Sequence, residues 1–163
     1  MTDAQARLKQ QAAANAVELV SGGMVIGLGT GSTTNFAIDM LGQKVQSGQL
    51  TGITGVPTSE ATAGRAKAVG IPLGELADFS ALDLAIDGAD EVDPALNLTK
   101  GWGGALVREK LVESCAERLV IIVDESKMVP RLGTRGPLPV EVVPFAWQVQ
   151  ARSFQGTTAS PTG

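Results

Sequence analysis

Histidine and tyrosine are missing from this 163-residue sequence, and cysteine occurs once, at Cys115. Without histidine there is no Ser-His-Asp or Cys-His nucleophile system and no His-based zinc site. Proton transfer near neutral pH must then fall to Asp, Glu, Lys or the single Cys. One cysteine builds no disulfide framework, which fits a reducing cytoplasm. With no histidine or second cysteine nearby to activate it, Cys115 is assigned to core packing. Aromatic residues make up 4% of the chain, the net charge is -4 and the pI is about 4.8. No basic stripe with interleaved aromatics is present, so no nucleic acid partner is expected. Apolar runs reach only strand length, which provides no membrane span, and MTDAQARLKQ lacks the basic-then-apolar layout of a signal peptide.

What is present suits one globular domain with a core: 44% hydrophobic and 18% charged residues. Residues 3–20 carry Leu8, Ala12, Ala16 and Val20 at helical spacing. Residues 24–28 (MVIGL) read as a buried strand, and a helix with Phe36, Met40 and Leu41 inward runs from about Ser32 to near Gly48. Residues 53–56 form a short strand, and Thr58-Ser59-Glu60 caps a helix through Ala68. Ile71-Pro72-Leu73 offers a further strand, and residues 118–123 (RLVIIV) give the strongest buried-strand signal of all. Residues 138–145 (LPVEVVPF) read as an extended edge segment, since prolines flank it. Strands alternating with helices predict an α/β domain with a mostly parallel sheet covered on both faces. The domain is expected over residues 1–152, with 153–163 (SFQGTTASPTG) as a disordered tail that has no apolar periodicity.

The polar chemistry gathers in residues 84–110. An apolar strand over 82–86 delivers Asp87 and Asp90, three apart, with Gly88 letting the backbone turn. Lys100 follows, then Gly101, Trp102, Gly103 and Gly104, then a helix over 105–117 carrying Arg108, Glu109 and Lys110. Paired carboxylates coordinate a metal, share protons or grip sugar hydroxyls; the plainer reading is a turn closing a strand. Lys100 beside a glycine-rich turn is placed to steady a developing oxyanion. Arg108-Glu109-Lys110 reads plainly as a solvated helix face, but Glu109 lies three residues from Leu106 and can share its inward side. A glutamate in an apolar pocket has a raised pKa, suited to moving a proton near neutral pH.

Two further stretches point to an anion. Residues 27–33 (GLGTGST) lie between a strand and a helix, where backbone N–H groups and hydroxyls either cradle a phosphate or simply cap the helix. Ser32 stands where a dinucleotide fingerprint needs its third glycine, and no Gly-Lys-Ser/Thr occurs. Lys127, in DESK after RLVIIV, reaches a phosphate as a point charge or serves as an ordinary surface lysine.

In this order, GLGTGSTT, DGADEVD, KGWGGALVREK, VDESK and PLPVEVVPFA resemble A-type ribose-5-phosphate isomerases over nearly the whole chain up to Arg152. The resemblance implies a Rossmann-like domain that interconverts ribose 5-phosphate and ribulose 5-phosphate through a cis-enediolate, with neither metal nor organic cofactor. It implies Glu109 as the base between C2 and C1, Asp87 and Asp90 as carboxylates on the sugar, and Lys100 as the electrophile. Thr30, Gly31, Ser32, Thr33 and Lys127 correspond to phosphate contacts, with Lys9 a further lysine. Gly88, Ala89, Gly101, Trp102 and Gly103 fall within the sugar-contacting motifs. Two departures stand out: Trp102 interrupts a glycine run, either crowding the sugar or pointing to solvent. The family's smaller ferredoxin-like C-terminal subdomain has no counterpart, so a truncated or frame-shifted chain is expected, and the homo-oligomer usual for the family is open. Rival readings are a phosphosugar-binding module without turnover, a nucleotide-binding module and an inactive fragment.

Overall fold

Short strands whose apolar side chains fall on alternate sides build the centre of the molecule, seen in a computed structural model that describes residues 2–154. In chain order the elements are α1 (Asp3–Val17), β1 (Val25–Leu28), α2 (Ser32–Gln46), β2 (Thr54–Pro57) and α3 (Glu60–Ala68). Then come β3 (Leu84–Asp87), β4 (Glu91–Val92), β5 (Leu98–Thr99), α4 (Leu106–Ser114), β6 (Leu119–Ile121) and α5 (Trp147–Ser153). The main sheet has the order β2-β1-β3-β6, all parallel, with Ile26 opposite Gly55 and Leu84, and Asp87 opposite Ile121. Strands β4 and β5 form a separate antiparallel pair, Glu91 opposite Thr99.

Ile26 and Leu28 of β1 and Leu84 and Ile86 of β3 point to one face, where α1 and α2 supply Ala13, Ala16, Val17, Ile38 and Leu41. On the other face Val112 of α4 packs with Val56, Leu82 and the half-buried Val25 and Cys115. The sheet is therefore covered on both sides, as the alternation of elements predicts. The chain runs outward from β1 to β2, then crosses back to β3 on the other side of β1. This reversal opens a crevice beyond the carboxyl ends of β1 and β3, the place where open α/β sheets bind ligands.

Helix starts follow the expected chemistry. Ser59 accepts a hydrogen bond from Thr62 N at 3.1 Å, and Thr2 forms a capping box with Gln5. Several sequence expectations need correction. Helix α1 ends at Val17, and Leu8 is 41% exposed, because the buried stripe runs through Ala13, Ala16, Val17 and Val20 instead. Ile71-Pro72-Leu73 makes only an isolated bridge, Gly55 to Leu73, since Pro72 has no N–H for a ladder. RLVIIV, expected as a buried strand, forms an outer strand of the main sheet and is only partly buried, with Leu119 exposed. Residues 138–145 form no strand, and Leu138, Val140, Val143 and Phe145 are exposed. The expected tail begins inside a helix, as α5 runs to Ser153; its remainder, 155–163, lies outside the described residues. Among the described residues no helix is long and apolar enough to cross a membrane.

Candidate active site

Gly29 leaves β1 where Asp87 ends β3, and a Cβ at 29 would fall 2.1 Å from Asp87 Oδ1. This close approach lets Asp87, 1% exposed, accept Thr30 N at 3.1 Å and Gly88 N at 2.7 Å on that oxygen. The β4–β5 pair then brings Lys100 back over the turn. Asp90 N donates to Thr99 O at 2.8 Å, and Lys100 Nζ donates to Gly88 O at 2.6 Å. Nζ also lies 3.1 Å from Asp87 Oδ2, 3.5 Å from Glu109 Oε2 and 3.2 Å from Glu113 Oε1. The three carboxylate oxygens have no directed hydrogen bond, so their contacts with the ammonium are ion pairs.

Helix α4 supplies both glutamates from its inner side, while Arg108 and Lys110 face out, Arg108 meeting Glu60 at 2.8 Å. The inward reading of Glu109 thus matches the structure. Burial pushes the Glu109 carboxyl above its usual range, with Lys100 opposing and Asp87 adding to the rise. Burial pushes Glu113 up to about 7. Burial would lower the Lys100 pKa, but Asp87, Glu113 and Glu109 together hold it above the ordinary lysine value. Sequence reasoning missed Glu113; the available signal was its place four residues after Glu109, on the same helical side.

A cleft of about 240 Å³ opens in front of this cluster. Gly88, Ala89, Asp90, Lys100, Gly101, Gly103 and Glu109 line one side, and Thr30, Gly31, Ser32, Thr33, Thr34 and Lys127 the other. Asp90 Oδ2 accepts Trp102 N at 2.9 Å. The Trp102 indole does not line the cleft: it packs on Gly136, and Nε1 donates to Pro137 O at 2.8 Å. Of the two positions open to this side chain, crowding the sugar is the one the structure does not adopt.

The far side of the cleft is the start of α2. Gly31 precedes it at φ 138°, a backbone region that favours glycine, and no side chain caps the helix. Its first N–H groups have no intrahelical partner and sit at the positive end of the helix dipole. Lys9 reaches over from α1, its Nζ donating to Ser32 Oγ at 2.8 Å and lying 3.8 Å from Asp124 Oδ2. Burial works against the charge on Asp124, yet hydrogen bonds from Ser126 and the charges of Lys9 and Lys127 keep its pKa below the usual range. Thr34 Oγ1 is buried without a hydrogen-bond partner beside the same cleft. Thr30 Oγ1 is tied to Thr58, Ser59 and Thr62 at 2.7 Å, 2.8 Å and 3.2 Å, which fixes the turn. Thr30 was singled out from sequence; Thr34, Thr58 and Thr62 were not named as site residues, as isolated Thr residues carry no spacing signal.

A larger void of about 380 Å³ lies between α1 and α2, near Val17, Glu18, Met40 and Lys44. It holds one exposed ion pair, Lys44 to Glu18, and no converging set of groups, so the chemistry belongs to the smaller cleft. Among the described residues no group of three or more His, Cys, Asp or Glu is arranged to hold a metal ion. The acids around Lys100 instead enclose its ammonium.

Comparison with known proteins gives one consistent relationship. Residues 54–162 match the family model of ribose 5-phosphate isomerase A (phosphoriboisomerase A). Ribose-5-phosphate isomerase A of Gloeobacter violaceus is 58% identical over 149 residues, covering 91% of this chain and 64% of that protein. A solved D-ribose-5-phosphate isomerase in complex with phospho-erythronic acid superposes with a TM-score of 0.88 at 44% identity, over 91% of this chain and 65% of its own. Ribose 5-phosphate isomerase from Plasmodium falciparum gives a TM-score of 0.89 at 42% identity, over 94% of this chain and 66% of its own. The chain thus spans just under two thirds of the length of these relatives.

Proposed function

The chain belongs to the ribose 5-phosphate isomerase A family, and from that premise we propose that it interconverts D-ribose 5-phosphate and D-ribulose 5-phosphate. The observation that carries the proposal is the contact of Lys100 Nζ with Asp87 and Glu109, at 3.1 Å and 3.5 Å, beside an uncapped helix start. One side of the cleft offers a base and a cation, the other an anion seat.

The phosphate sits at the start of α2, with Gly31, Ser32 and Thr33 donating and Lys9 and Lys127 adding positive charge. Anions at helix starts gain about 0.3–1 kcal/mol from the dipole at exposed sites. The open-chain sugar then extends towards Lys100. Glu109 takes the proton from C2, and the C2–H electron pair becomes the C1–C2 double bond. The aldehyde oxygen takes up negative charge, which the Lys100 ammonium stabilises. Asp87 moves the hydroxyl proton from O2 towards O1, and Glu109 returns its own proton to C1, leaving the ketone at C2. Asp90, Gly88, Ala89, Gly101 and Gly103 hold sugar hydroxyls; Trp102 contributes through its backbone. The raised Glu109 pKa, due first to burial, suits a base that must also give the proton back.

Each step balances without a metal or organic cofactor. A homo-oligomer and a cytoplasmic setting belong to the same proposal. Leu138, Val143 and Phe145, 75%, 66% and 86% exposed, support self-association. The test is formation of ribulose 5-phosphate from ribose 5-phosphate with EDTA present. Turnover that falls by roughly 10²–10⁴-fold in Glu109→Gln, with phosphosugar binding retained, is expected. A variant that kept near-native turnover would show that Glu109 is not the base.

A further inference from the structure

Asp87, Lys100, Glu109 and Glu113 set one ammonium against three acids inside the fold, and the reaction proposed above employs two of those acids. Glu113 Oε1 lies 3.2 Å from Lys100 Nζ, its side chain is 9% exposed, and that oxygen has no hydrogen-bond partner. Glu113 follows Glu109 by one helical turn but, unlike Glu109, does not line the cleft. If all three acids were ionised, this buried space would hold a net charge of two negatives. Close carboxylates out of water do not ionise together, so one of them keeps a proton.

The surroundings decide which one. Asp87 Oδ1 receives two backbone N–H donors, from Thr30 and Gly88. Glu109 is as buried as Glu113 but lines the cleft, where a substrate can meet its carboxylate. Glu113 has neither a backbone donor nor a place on the cleft wall: Lys100 Nζ lies 3.2 Å from its Oε1, and Glu109 sits one helical turn away. We propose that Glu113 is a positioning residue for the isomerisation: a neutral carboxyl behind Lys100 that fixes the ammonium and leaves Glu109 as the carboxylate on the cleft side. Burial, which raises its pKa to about 7, agrees with that assignment. Above that pH Glu113 ionises, draws Lys100 back and makes Glu109 harder to ionise, so kcat falls.

The kinetic part of this inference rests on the isomerase reading, and the experiment separates the two. Carbon-13 titration of the glutamate side chains needs no turnover. One glutamate signal with a midpoint near 7 is expected in the native chain and absent in Glu113→Gln. In the assay, Glu113→Ala is expected to lower kcat roughly tenfold with KM nearly unchanged, the size of a modest misplacement of a reacting group. Glu113→Gln, neutral and of the same shape, should recover most of that loss and no longer lose activity above about pH 7. If Glu113→Ala fails to fold, the isosteric Gln variant and the titration carry the test.

Native kcat in Glu113→Ala, an unchanged pH profile in Glu113→Gln, or no glutamate titrating near 7 would each overturn the proposal. If the native chain does not turn over ribose 5-phosphate at all, the isomerase reading fails and binding of phospho-erythronic acid decides. Weaker binding in Glu113→Ala that Glu113→Gln restores keeps the positioning role, and equal affinity in all three chains removes it.

Discussion

Trp102 donates its backbone N–H to the Asp90 carboxylate at 2.9 Å while its indole turns away to Pro137 O. A large residue in a glycine-rich turn thereby holds a cleft carboxylate without entering the cleft. The indole rests on Gly136, where even a Cβ would come within 2.4 Å of the ring. The 133–136 segment is in turn held by Glu91, whose carboxylate accepts Gly133 N at 2.6 Å and Arg135 N at 2.5 Å. Glu91, the segment, Trp102 and Asp90 thus form one physical chain from the β4–β5 pair to the cleft.

Trp102→Gly tests the middle of that chain. Removing the indole costs its packing on Gly136 and one hydrogen bond. A loss of about 1–2 kcal/mol is expected from a half-buried ring, against ~3–5 kcal/mol for a fully buried one. The freed turn should also let Asp90 wander, raising KM for ribose 5-phosphate several-fold with a smaller change in kcat. Denaturant midpoints and steady-state kinetics on the same preparation measure both. Lowered stability with an unchanged KM would mean that the turn holds Asp90 without the indole.

Gly29 and Gly64 make a matched pair. At Gly29 the added methyl of alanine would meet the Asp87 carboxylate at 2.1 Å, a collision between backbone-anchored groups that only a shift of β1 or β3 relieves. Gly29→Ala should lose about 1–3 kcal/mol of stability or more, and most of its turnover. Gly64 lies exposed within α3 with nothing within 4 Å of a built Cβ. Gly64→Ala should stabilise by up to about 1 kcal/mol through helix propensity. Thermal midpoints decide; a harmless Gly29→Ala would mean the Asp87 turn tolerates movement.

Why some of this was legible in the sequence, and some not, has physical causes. The turn from β1 into α2 and the carboxylate pair after β3 stand out because strand ends, glycines and chemistry-bearing residues coincide there. Asp87, Lys100 and Glu109, separated by up to 22 residues, converge as read because a strand, a returning pair and a helix each fix one of them. Glu113 escaped notice because a glutamate four residues from another glutamate looks like an ordinary charged helix face. RLVIIV is apolar enough for a buried strand, yet strand order depends on crossover connections that composition does not encode. Leu138, Val140 and Val143 have strand-like chemistry but no paired strand among the described residues, and Pro139 and Pro144 lack the N–H a ladder needs.

Glu91 provides a prediction with a definite sign in pH. It is fully buried, and burial alone would raise its pKa. The N–H groups of Arg135, Gly133 and Gly136 outweigh that and hold it below the ordinary carboxylate value of 4.5. A carboxylate whose pKa is lower folded than unfolded stabilises the fold fully above the unfolded value. That contribution is lost as pH falls through the lower, folded value. The native chain should therefore hold its thermal midpoint near neutrality and lose part of it below pH 4.5. Glu91→Gln removes the charge and turns an amide towards groups that can only donate, so one buried donor loses its acceptor. Its thermal midpoint should be lower by several degrees at neutral pH, with a shallower loss on acidification. KM for ribose 5-phosphate should rise as it does in Trp102→Gly, since both changes release the same segment. A Glu91→Gln chain that is less stable but binds substrate normally would separate the anchor from the cleft and break the chain of contacts that runs through Trp102 to Asp90.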